Sequence, residues 1–342
     1  FVNERLALRQ RGKGSSARQR VEHDRVRFLS GVRDGKATGN PIALQVVNKD
    51  DRYKGLPPVH EPRPGHADLP GALNRGIDDA RDVIERASAR ETAVRVAACA
   101  VAAQMLDALE IDVFGHTVQI GSVDVRGEPG DDIDAARARR ASSEHHALGS
   151  ELSQAEASAV IDAAQKAGDT LGGIVEVVAT GVPLGLGGHE RPETKLKATL
   201  AAALMGIQAI QGVEVGLGFR GAVLRGSEVH DPIVPGADGP ARDGNRAGGI
   251  EGGTSNGQPV VVRAAMKPLA TLRTRLPSVD LRTNEPAPAR VERSDVCAVS
   301  RLAIVAEAVV AADLARHVRR RFGGASLAEV RAAIDAQRKR LS

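Results

Sequence analysis

The sequence RPGHAD, residues 63–68, places a histidine between a cation and a carboxylate. Its Pro-Gly pair favours a turn, which would display His66 instead of burying it within a helix or strand. Arg63 and Asp68 stand close enough along the chain to tune the pKa of the imidazole for acid–base chemistry. A surface turn with a polar tip is the alternative interpretation.

Residues 85–92, ERASARET, combine two arginines with a candidate helix start. Ser88 and Glu91 have the spacing of a capping box, which predicts that a long alanine-rich helix begins here. The N–H groups and the positive dipole at a helix N-terminus attract anions, and Arg86 and Arg90 would add two cations. The segment therefore predicts an anion site, although a capped surface helix with solvated arginines fits it equally well.

Five of the fifteen residues at 245–259, NRAGGIEGGTSNGQP, are glycine, and the strand-like VVVRAAM follows at once. Bare backbone lets a ligand approach closely and lets N–H groups point towards it. Lys267, at the end of the strand, is then a candidate partner for an anion. The spacing matches neither a P-loop nor a GxGxxG motif, and a glycine-rich hairpin between two strands is the alternative.

The sequence RSDVCAV, residues 293–299, brings an arginine and an aspartate to the entry of an apolar segment. Residues i and i+2 of an extended segment share one face, so Arg293 and Asp295 would point the same way. A salt-bridged loop is the alternative. The Glu-His-His at 144–146 lacks the helical HExxH spacing of a zinc site, so we predict no metal site.

The composition is that of a folded protein with an excess of basic residues. Hydrophobic residues make up 42% of the 342 residues and charged residues 26%, and the formal net charge is +4. Nucleic-acid-binding surfaces usually interleave basic residues with stacking aromatics, but aromatics are only 2% here, which favours a small polyanionic ligand. No apolar run reaches the length of a membrane helix, and the two cysteines form no disulfide framework. We therefore predict a cytoplasmic protein that binds neither membrane nor nucleic acid.

Hydrophobic periodicity predicts alternating strands and helices without a fixed repeat. The predicted strands are 26–30, 42–48, 113–123, 174–183, 213–219 and 259–266. The predicted helices are 88–109, 153–168, 195–210, 301–321 and 327–341. Two more capping boxes, Ser153 with Glu156 and Ser326 with Glu329, are expected to start the second and the last of these helices.

The order of these elements predicts an α+β fold in a single domain, residues 1–342. The stretch 126–150 carries many charges and a weak hydrophobic pattern. We expect it to be a solvated, variable loop within that domain.

Six segments, in this order, resemble the chorismate synthase family: RPGHAD, RASARET, GDTLGG (168–173), MGIQAIQGVEVGLGF (205–219), AGGIEGGTSNGQP and RSDVCAV. The resemblance implies a β-α-β sandwich, a homotetramer and a reduced FMN cofactor, with NADPH a candidate reductant. The implied reaction is the anti-1,4-elimination of phosphate and a C6 proton from 5-enolpyruvylshikimate 3-phosphate (EPSP). It gives chorismate, the end of the shikimate pathway in aromatic amino acid biosynthesis.

The resemblance also implies roles for individual residues. His66 matches a histidine that protonates and stabilises the reduced flavin. Asp295 matches an aspartate that works with flavin N5 to remove the C6 proton. Arg9, Arg63 and Arg90 match positions that bind the substrate or NADP, as does Arg293 for the substrate. The positions that match flavin contacts are Arg86, Ala87, Ser88, Gln208, Ala209, Gly252, Lys267, Pro268, Leu269, Ala270, Thr271 and Arg293.

The chain departs from the family pattern in three places. A Gly-Glu-Ser-His-Gly motif with a second catalytic histidine is absent, and the chain begins at Phe1 without Met. We therefore expect an N-terminally truncated sequence with little or no activity as it stands. Ser15 stands where members usually have a second phosphate-binding arginine, a role that Arg18 would have to take. Leu196-Lys197 stands where members usually have Leu-Asp.

Two other function classes fit parts of this pattern. A different flavin or nucleotide enzyme would bind flavin without shikimate-pathway turnover. A basic nucleic-acid-binding protein would show salt-sensitive DNA binding without a yellow cofactor.

Overall fold

The computed structural model describes residues 1–15, 23–48, 55–236 and 239–341. Its helices, numbered α1 to α10 in chain order, are Val2–Arg9, Asp68–Arg75, Arg81–Arg86, Glu91–Asp107, Ile133–Ser142, Glu151–Ala167, Leu196–Met205, Gly226–Val229, Val299–Phe322 and Leu327–Leu341. Within the described ranges, no helix has the length and apolar character that crossing a membrane requires.

The strands, numbered β1 to β15, are Val26–Ser30, Val32–Arg33, Lys36–Ala37, Ala43–Val46, Asp112–Ile120, Val123–Asp124, Gly173–Thr180, Ile210–Val215, Ile233–Gly236, Gly239–Arg242, Ile250–Glu251, Thr254–Ser255, Val260–Met266, Pro277–Val279 and Pro286–Pro288. Five of them form the principal sheet in the order β6-β5-β7-β13-β8, with antiparallel neighbours throughout. The other strands pair in twos: β1 with β4, β2 with β3, β9 with β10, β11 with β12 and β14 with β15.

The strand β13 lies inside the principal sheet because its residues suit burial on both faces. Its sequence VVVRAAM begins with three β-branched residues, and six of its seven residues are buried. It pairs with β7 along its whole length, from Val260 opposite Ala179 to Met266 opposite Gly173. Lys267 therefore leaves the sheet at a fixed point, directly after the last paired residue.

Helices α4 and α9 form the layer next to this sheet. They pack against each other, and α9 also lies on β5 and β7. Both helices are rich in alanine, and most of α9 is buried, since small side chains let a helix approach its neighbours closely. The β1–β4 hairpin packs on α4 in turn. This order of sheet, helices and hairpin is the layered β-α-β arrangement, and the predicted α+β fold is confirmed.

The predicted capping box at the start of α4 is wrong. The helix begins at Glu91, with Arg90 as its N-cap residue and no capping side chain. Ser88 lies in the preceding turn, where its Oγ accepts the Arg90 N–H at 3.3 Å. Glu91 does not reach back to the cap, because its carboxylate binds Arg95 at 2.7 Å and Gln208 at 2.8 Å.

The other two capping boxes have different outcomes. In α6 the box is formed by Ser150 and Ser153, each side chain binding the other's backbone N–H, so the predicted start at Ser153 with Glu156 is wrong. The third is confirmed in part. Ser326 Oγ accepts the N–H of Glu329 at 3.3 Å, but the Glu329 carboxylate accepts the Ala325 N–H and the Ser326 hydroxyl, each at 3.0 Å, instead of the Ser326 N–H.

The stretch 126–150 is not a solvated loop, and that prediction is corrected. It contains α5, and both His145 and His146 are buried. The helix covers the sheet partly through its arginines, with the Arg137 guanidinium 4.8 Å from the ring centroid of Phe114. Because arginines of this stretch cover the sheet by packing on an aromatic ring, the sequence of 126–150 has little hydrophobic periodicity. Its charges therefore suggested solvent exposure.

Gly115 sets how closely α9 lies on β5. A Cβ at this position would overlap the carbonyl oxygen of Ala303 and would stand 3.2 Å from the Cβ of Glu307. Both contacts belong to α9, which is held on its other sides by α4 and α7. The helix therefore cannot give way without disturbing the core.

We expect Gly115→Ala to lower the free energy of unfolding by about 1–3 kcal/mol, as overpacking of a well-packed core does. Gly55→Ala is the control, because a Cβ at Gly55 meets nothing within 4 Å. Urea denaturation of both variants measures the difference. Equal midpoints for the two variants would show that the contact of α9 with β5 is not tight.

Candidate functional site

The turn at 63–66 is confirmed, and it holds His66 against a carboxylate. Gly65 has a φ of +73°, a conformation that favours glycine. His66 Nδ1 contacts Asp68 Oδ1, and the imidazole side chain is 23% exposed. Because an ionised carboxylate only accepts hydrogen bonds, Nδ1 carries the proton, and the unprotonated Nε2 lies 3.5 Å from Arg63 Nη2, which can donate to it.

Asp68 is the buried anion that orders this turn. It accepts the backbone N–H of Arg63 at 3.1 Å and the Arg63 Nε–H at 2.7 Å. Burial by itself would raise the pKa of Asp68, but the hydrogen bonds from His66 and Arg63 outweigh burial and hold the pKa well below its usual range. Asp68 is therefore ionised and fixes the orientation of both neighbours.

Two cationic side chains join this turn to the segment KPLAT after β13. Arg63 Nη1 donates to Thr271 Oγ1 at 2.6 Å, across 208 positions of sequence. Lys267 Nζ donates to the carbonyl oxygen of Gly65 at 2.7 Å. The first and third predicted motifs are therefore neighbours in space.

A pocket of about 270 Å³ opens beside Thr271. Arg293 and Asp295 both line it, together with residues 168–170. The segment 291–296 is not a strand, yet the two side chains reach the same pocket. Asp295 also forms an ion pair with Arg301 of α9. The pocket thus combines a carboxylate that can accept a proton with cations that can bind anions.

Arg9 and Arg90 form a second cationic cluster at the start of α4. Both contact Asp24, with Arg90 Nη2 2.6 Å from Oδ1 and Arg9 Nη1 3.5 Å from Oδ2. Arg9 Nη2 also donates to Thr92 Oγ1 at 2.7 Å. Burial, reinforced by the nearby charge of Arg301, lowers the pKa of Arg9 to about 10, so Arg9 stays protonated at neutral pH.

Gln208 and Ala209 lie next to the KPLAT segment. The backbone N–H of Lys267 donates to the Ala209 carbonyl at 3.0 Å, and Ala209 has a φ of +67°. Gln208 Nε2 donates to Glu91 at 2.8 Å. Its Oε1 is buried and accepts no hydrogen bond from the described residues. A ligand that donates at this point would satisfy it.

Arg86, Ala87 and Ser88 connect α3 to α4. Arg86 is the last residue of α3, Ala87 is its C-cap residue, and the Ser88 N–H donates to the Glu85 carbonyl at 3.3 Å. Arg86 lies near Glu91, and its positive charge favours the ionised form of that carboxyl group. Cations therefore flank the N-terminus of α4 on both sides, through Arg86 and the N-cap residue.

The glycine-rich stretch contains the hairpin β11–β12, and most of its glycines serve backbone packing. A Cβ on Gly248 would overlap the backbone nitrogen of Gly216, and one on Gly253 would stand 2.7 Å from the Gly188 carbonyl oxygen. Gly252 differs, because its φ is +60° and a Cβ there would meet nothing within 4 Å. Its backbone faces open space. Among the described residues, no contact joins Gly252 to the pocket.

Sequence reasoning missed Asp24, Thr92 and Arg301 as members of this site. A charge at the start of the apolar pattern RLAIVAEAVV could have drawn attention to Arg301, and Thr92 closes the ERASARET segment, but no local signal marked Asp24. Among the described residues, Ser15 Oγ donates to the Gly12 carbonyl at 2.7 Å, and Arg18 lies outside them. In the part of the chain that the structure describes, no group of three or more potential metal ligands is present.

The lowered pKa of Asp68 predicts a pH dependence of stability. A carboxyl group whose pKa falls on folding stabilises the protein above its unfolded pKa of about 3.9, and this stabilisation is lost as the pH falls further. Asp68→Asn should therefore be less stable than the parent at pH 6, and the difference should shrink between pH 4 and pH 2. Urea denaturation across this range measures it, and a difference that does not change with pH would contradict the assignment.

Comparisons with known proteins point to one family. A family model of chorismate synthase matches residues 1–318. Chorismate synthase from Desulforamulus reducens is 47% identical, over 98% of this chain and 90% of that protein. The enzyme from Desulforudis audaxviator is 49% identical, over 96% and 87% of the two chains, and that from Mycobacterium avium is 47% identical, over 99% and 88%.

A solved structure agrees with the sequence relatives. It is a crystal structure of chorismate synthase, with a TM-score of 0.81 and 33% sequence identity. The match covers 99% of this chain and 89% of that one. With half or more of the chain matched in every comparison, the chain belongs to the chorismate synthase family.

Proposed function

We propose that the pocket lined by Thr271, Arg293 and Asp295 is the active site of this member of the chorismate synthase family. The chain is a lyase that eliminates phosphate from EPSP to give chorismate, in aromatic amino acid biosynthesis. The observation that carries the location is the hydrogen bond from Arg63 to Thr271. It brings the His66 turn, the end of β13 and the pocket of Asp295 to one place.

Reduced FMN fits the residues around this pocket. The buried Oε1 of Gln208 lacks a donor among the described residues and can accept one from a flavin N–H or a ribityl hydroxyl. The cation of Lys267, which lies against the Gly65 carbonyl, suits a phosphate. Gly252 is included because it matches a family position, and no described contact joins it to the pocket. When bound, the reduced flavin would supply electron density transiently as phosphate leaves, and NADPH is the candidate reductant. The residues that would hold it are Arg86, Ala87, Ser88, Gln208, Ala209, Gly252, Lys267, Pro268, Leu269, Ala270, Thr271 and Arg293.

His66 and Asp295 are the two groups proposed to hold and move protons. Asp68 accepts the Nδ1–H of His66 and fixes the tautomer and orientation of the ring, so Nε2 is the nitrogen proposed to exchange a proton. Asp295 stands at the pocket as a carboxylate, which Arg301 fixes in direction through an ion pair. A carboxylate in this position can accept the C6 proton of the substrate.

The arginines are proposed to bind the substrate, which carries a phosphate and two carboxylates. Arg63 and Arg293 flank the pocket through Thr271 and the 291–296 segment. Arg9 and Arg90 lie at the N-terminus of α4, where the helix dipole also favours an anion. The planar guanidinium can bind two oxygens of a phosphate or carboxylate at once, which fixes the orientation as well as the position.

We further propose that the chain forms a homotetramer in the cytoplasm. Phe219, Val223 and Ile233 are 78%, 82% and 72% exposed, which provides apolar surface suited to contacts between subunits. The structure describes no membrane-spanning helix, and both cysteines are free thiols. The scarcity of aromatic residues argues against nucleic acid as a partner.

Turnover of three variants tests these roles. In a form extended at the N-terminus by the Gly-Glu-Ser-His-Gly segment, Asp295→Asn and His66→Ala should each lower kcat by about 10²–10⁴ relative to the same form without the substitution, because each loses a proton-transfer group, while FMN stays bound. Arg293→Ala should chiefly weaken substrate and FMN binding, because it removes a cation that faces anions. Anaerobic chorismate formation with reduced FMN measures the rates, and FMN titration measures binding.

Arg126→Gln is a suitable control, since Arg126 pairs with Asp124 at the end of the edge strand β6 and is not among the residues that line the pocket. In the same extended form, its rate should stay within a few-fold of the form without the substitution. A His66→Ala or Asp295→Asn variant that turns over as fast as this control would remove that residue from the mechanism.

A further inference from the structure

The first turn of α9 carries two buried polar groups whose hydrogen-bonding capacity is not used. Ser300 is 2% exposed and Arg301 is 8% exposed. In the described part of the chain, neither Ser300 Oγ nor Arg301 Nε has a hydrogen-bond partner. Because buried polar groups in folded proteins are almost always hydrogen-bonded, two such groups in successive residues point to a bound group that completes them.

Arg301 lies between the pocket and the Arg9 cluster. One of its terminal nitrogens pairs with Asp295, which lines the pocket, and its charge acts on the buried guanidinium of Arg9. Gly12 lets the loop after α1 approach the first turn of α9. A Cβ on Gly12 would stand only 3.1 Å from the Cβ of Ser300 and 3.6 Å from the Cγ of Arg301. The loop after α1 is thereby held directly against the first turn of α9.

Among the described residues around Arg301, cations outnumber carboxylates. Three guanidinium groups, those of Arg9, Arg90 and Arg301, share the two carboxylates of Asp24 and Asp295. A buried charge without a counter-charge is costly, so an anion bound here would stabilise the arrangement. The N-terminus of a long helix adds to the attraction, since its dipole is positive.

We propose that Arg301, assisted by Ser300, is a further substrate-binding residue that takes one oxyanion of EPSP. This inference rests on the proposed active site and deepens it by naming a cation outside the segments that carry the family resemblance. Ser15 supplies no charge where family members usually have a second arginine. Arg301 supplies one from α9, beside Gly12, whose carbonyl accepts the Ser15 hydroxyl.

Substrate binding by Arg301→Met and Arg301→Lys tests the proposal. Calorimetry with EPSP should show binding about 10- to 100-fold weaker for Arg301→Met, as expected for the loss of one hydrogen bond between charged groups. Arg301→Lys keeps the charge but loses the Nε–H donor, so its affinity should lie between the two. Competition with inorganic phosphate identifies the bound group. Phosphate binding weakened in parallel indicates the substrate phosphate, and unchanged phosphate binding indicates a carboxylate.

Arg140→Met is the matched control. Arg140 pairs with Glu307, also on α9, and the Arg140 and Arg301 side chains are each 10% exposed. The Arg140→Met variant should be less stable than the unmodified chain but should bind EPSP with the same affinity. Arg301→Met should unfold at a temperature no lower than that of Arg140→Met, so that its weaker binding is not a result of unfolding.

The outcomes separate the inference from the proposed function. EPSP binding by Arg301→Met within two-fold of the unmodified chain would overturn the inference, as would normal binding by Arg301→Lys should the methionine variant not fold. Failure of the unmodified chain itself to bind EPSP would instead overturn the proposed active site.

Discussion

The guanidinium of Arg63 is the interaction on which the arrangement of this site depends. It is buried, and it binds an ionised carboxylate on one side and a threonine hydroxyl on the other. Without it, the buried Asp68 would keep the His66 imidazole as its side-chain partner among the described residues, and the bond from Lys267 to the Gly65 carbonyl would be left to join the turn to the KPLAT segment. A single cation thus fixes both the imidazole and one wall of the pocket.

The remainder of the pocket depends on how α9 is held. Gly115 lets the helix lie against β5, and Gly12 lets the loop after α1 lie against its first turn. Asp295 stands just before that turn and Arg301 within it. The same packing that buries the helix therefore determines where a carboxylate and a guanidinium meet at the pocket. The contacts that stabilise the helix therefore also position the groups at the pocket. Because they are tight, we expect added volume at Gly12 or Gly115 to disturb both.

Local features were predictable from sequence, and the pairing of distant residues was not. The turn at His66 follows from a Pro-Gly pair, and the strand that delivers Lys267 follows from its β-branched residues. The start of α4 was misjudged because Glu91 binds Arg95 and Gln208, contacts that no cap spacing reveals. The burial of His145 and His146 likewise arises from long-range packing.

The cationic cluster shows the same limit. Asp24 reaches Arg90 across 66 positions, and Arg301 acts on Arg9 across nearly the whole chain. Only the family resemblance linked such segments before the fold was known. Conversely, the glycines at 248–253 look alike in sequence, yet the structure separates those that pack backbone on backbone from Gly252, which faces open space.

The central claim is that flavin and substrate occupy one site, closed by arginines that face both. The most direct measurement is the dissociation constant of FMN under anaerobic reducing conditions, with and without EPSP, followed through the flavin absorbance. The account predicts that FMN binds more tightly when EPSP is present, since substrate anions would neutralise the guanidinium groups and order them over the ring. Equal FMN affinity with and without EPSP would contradict it.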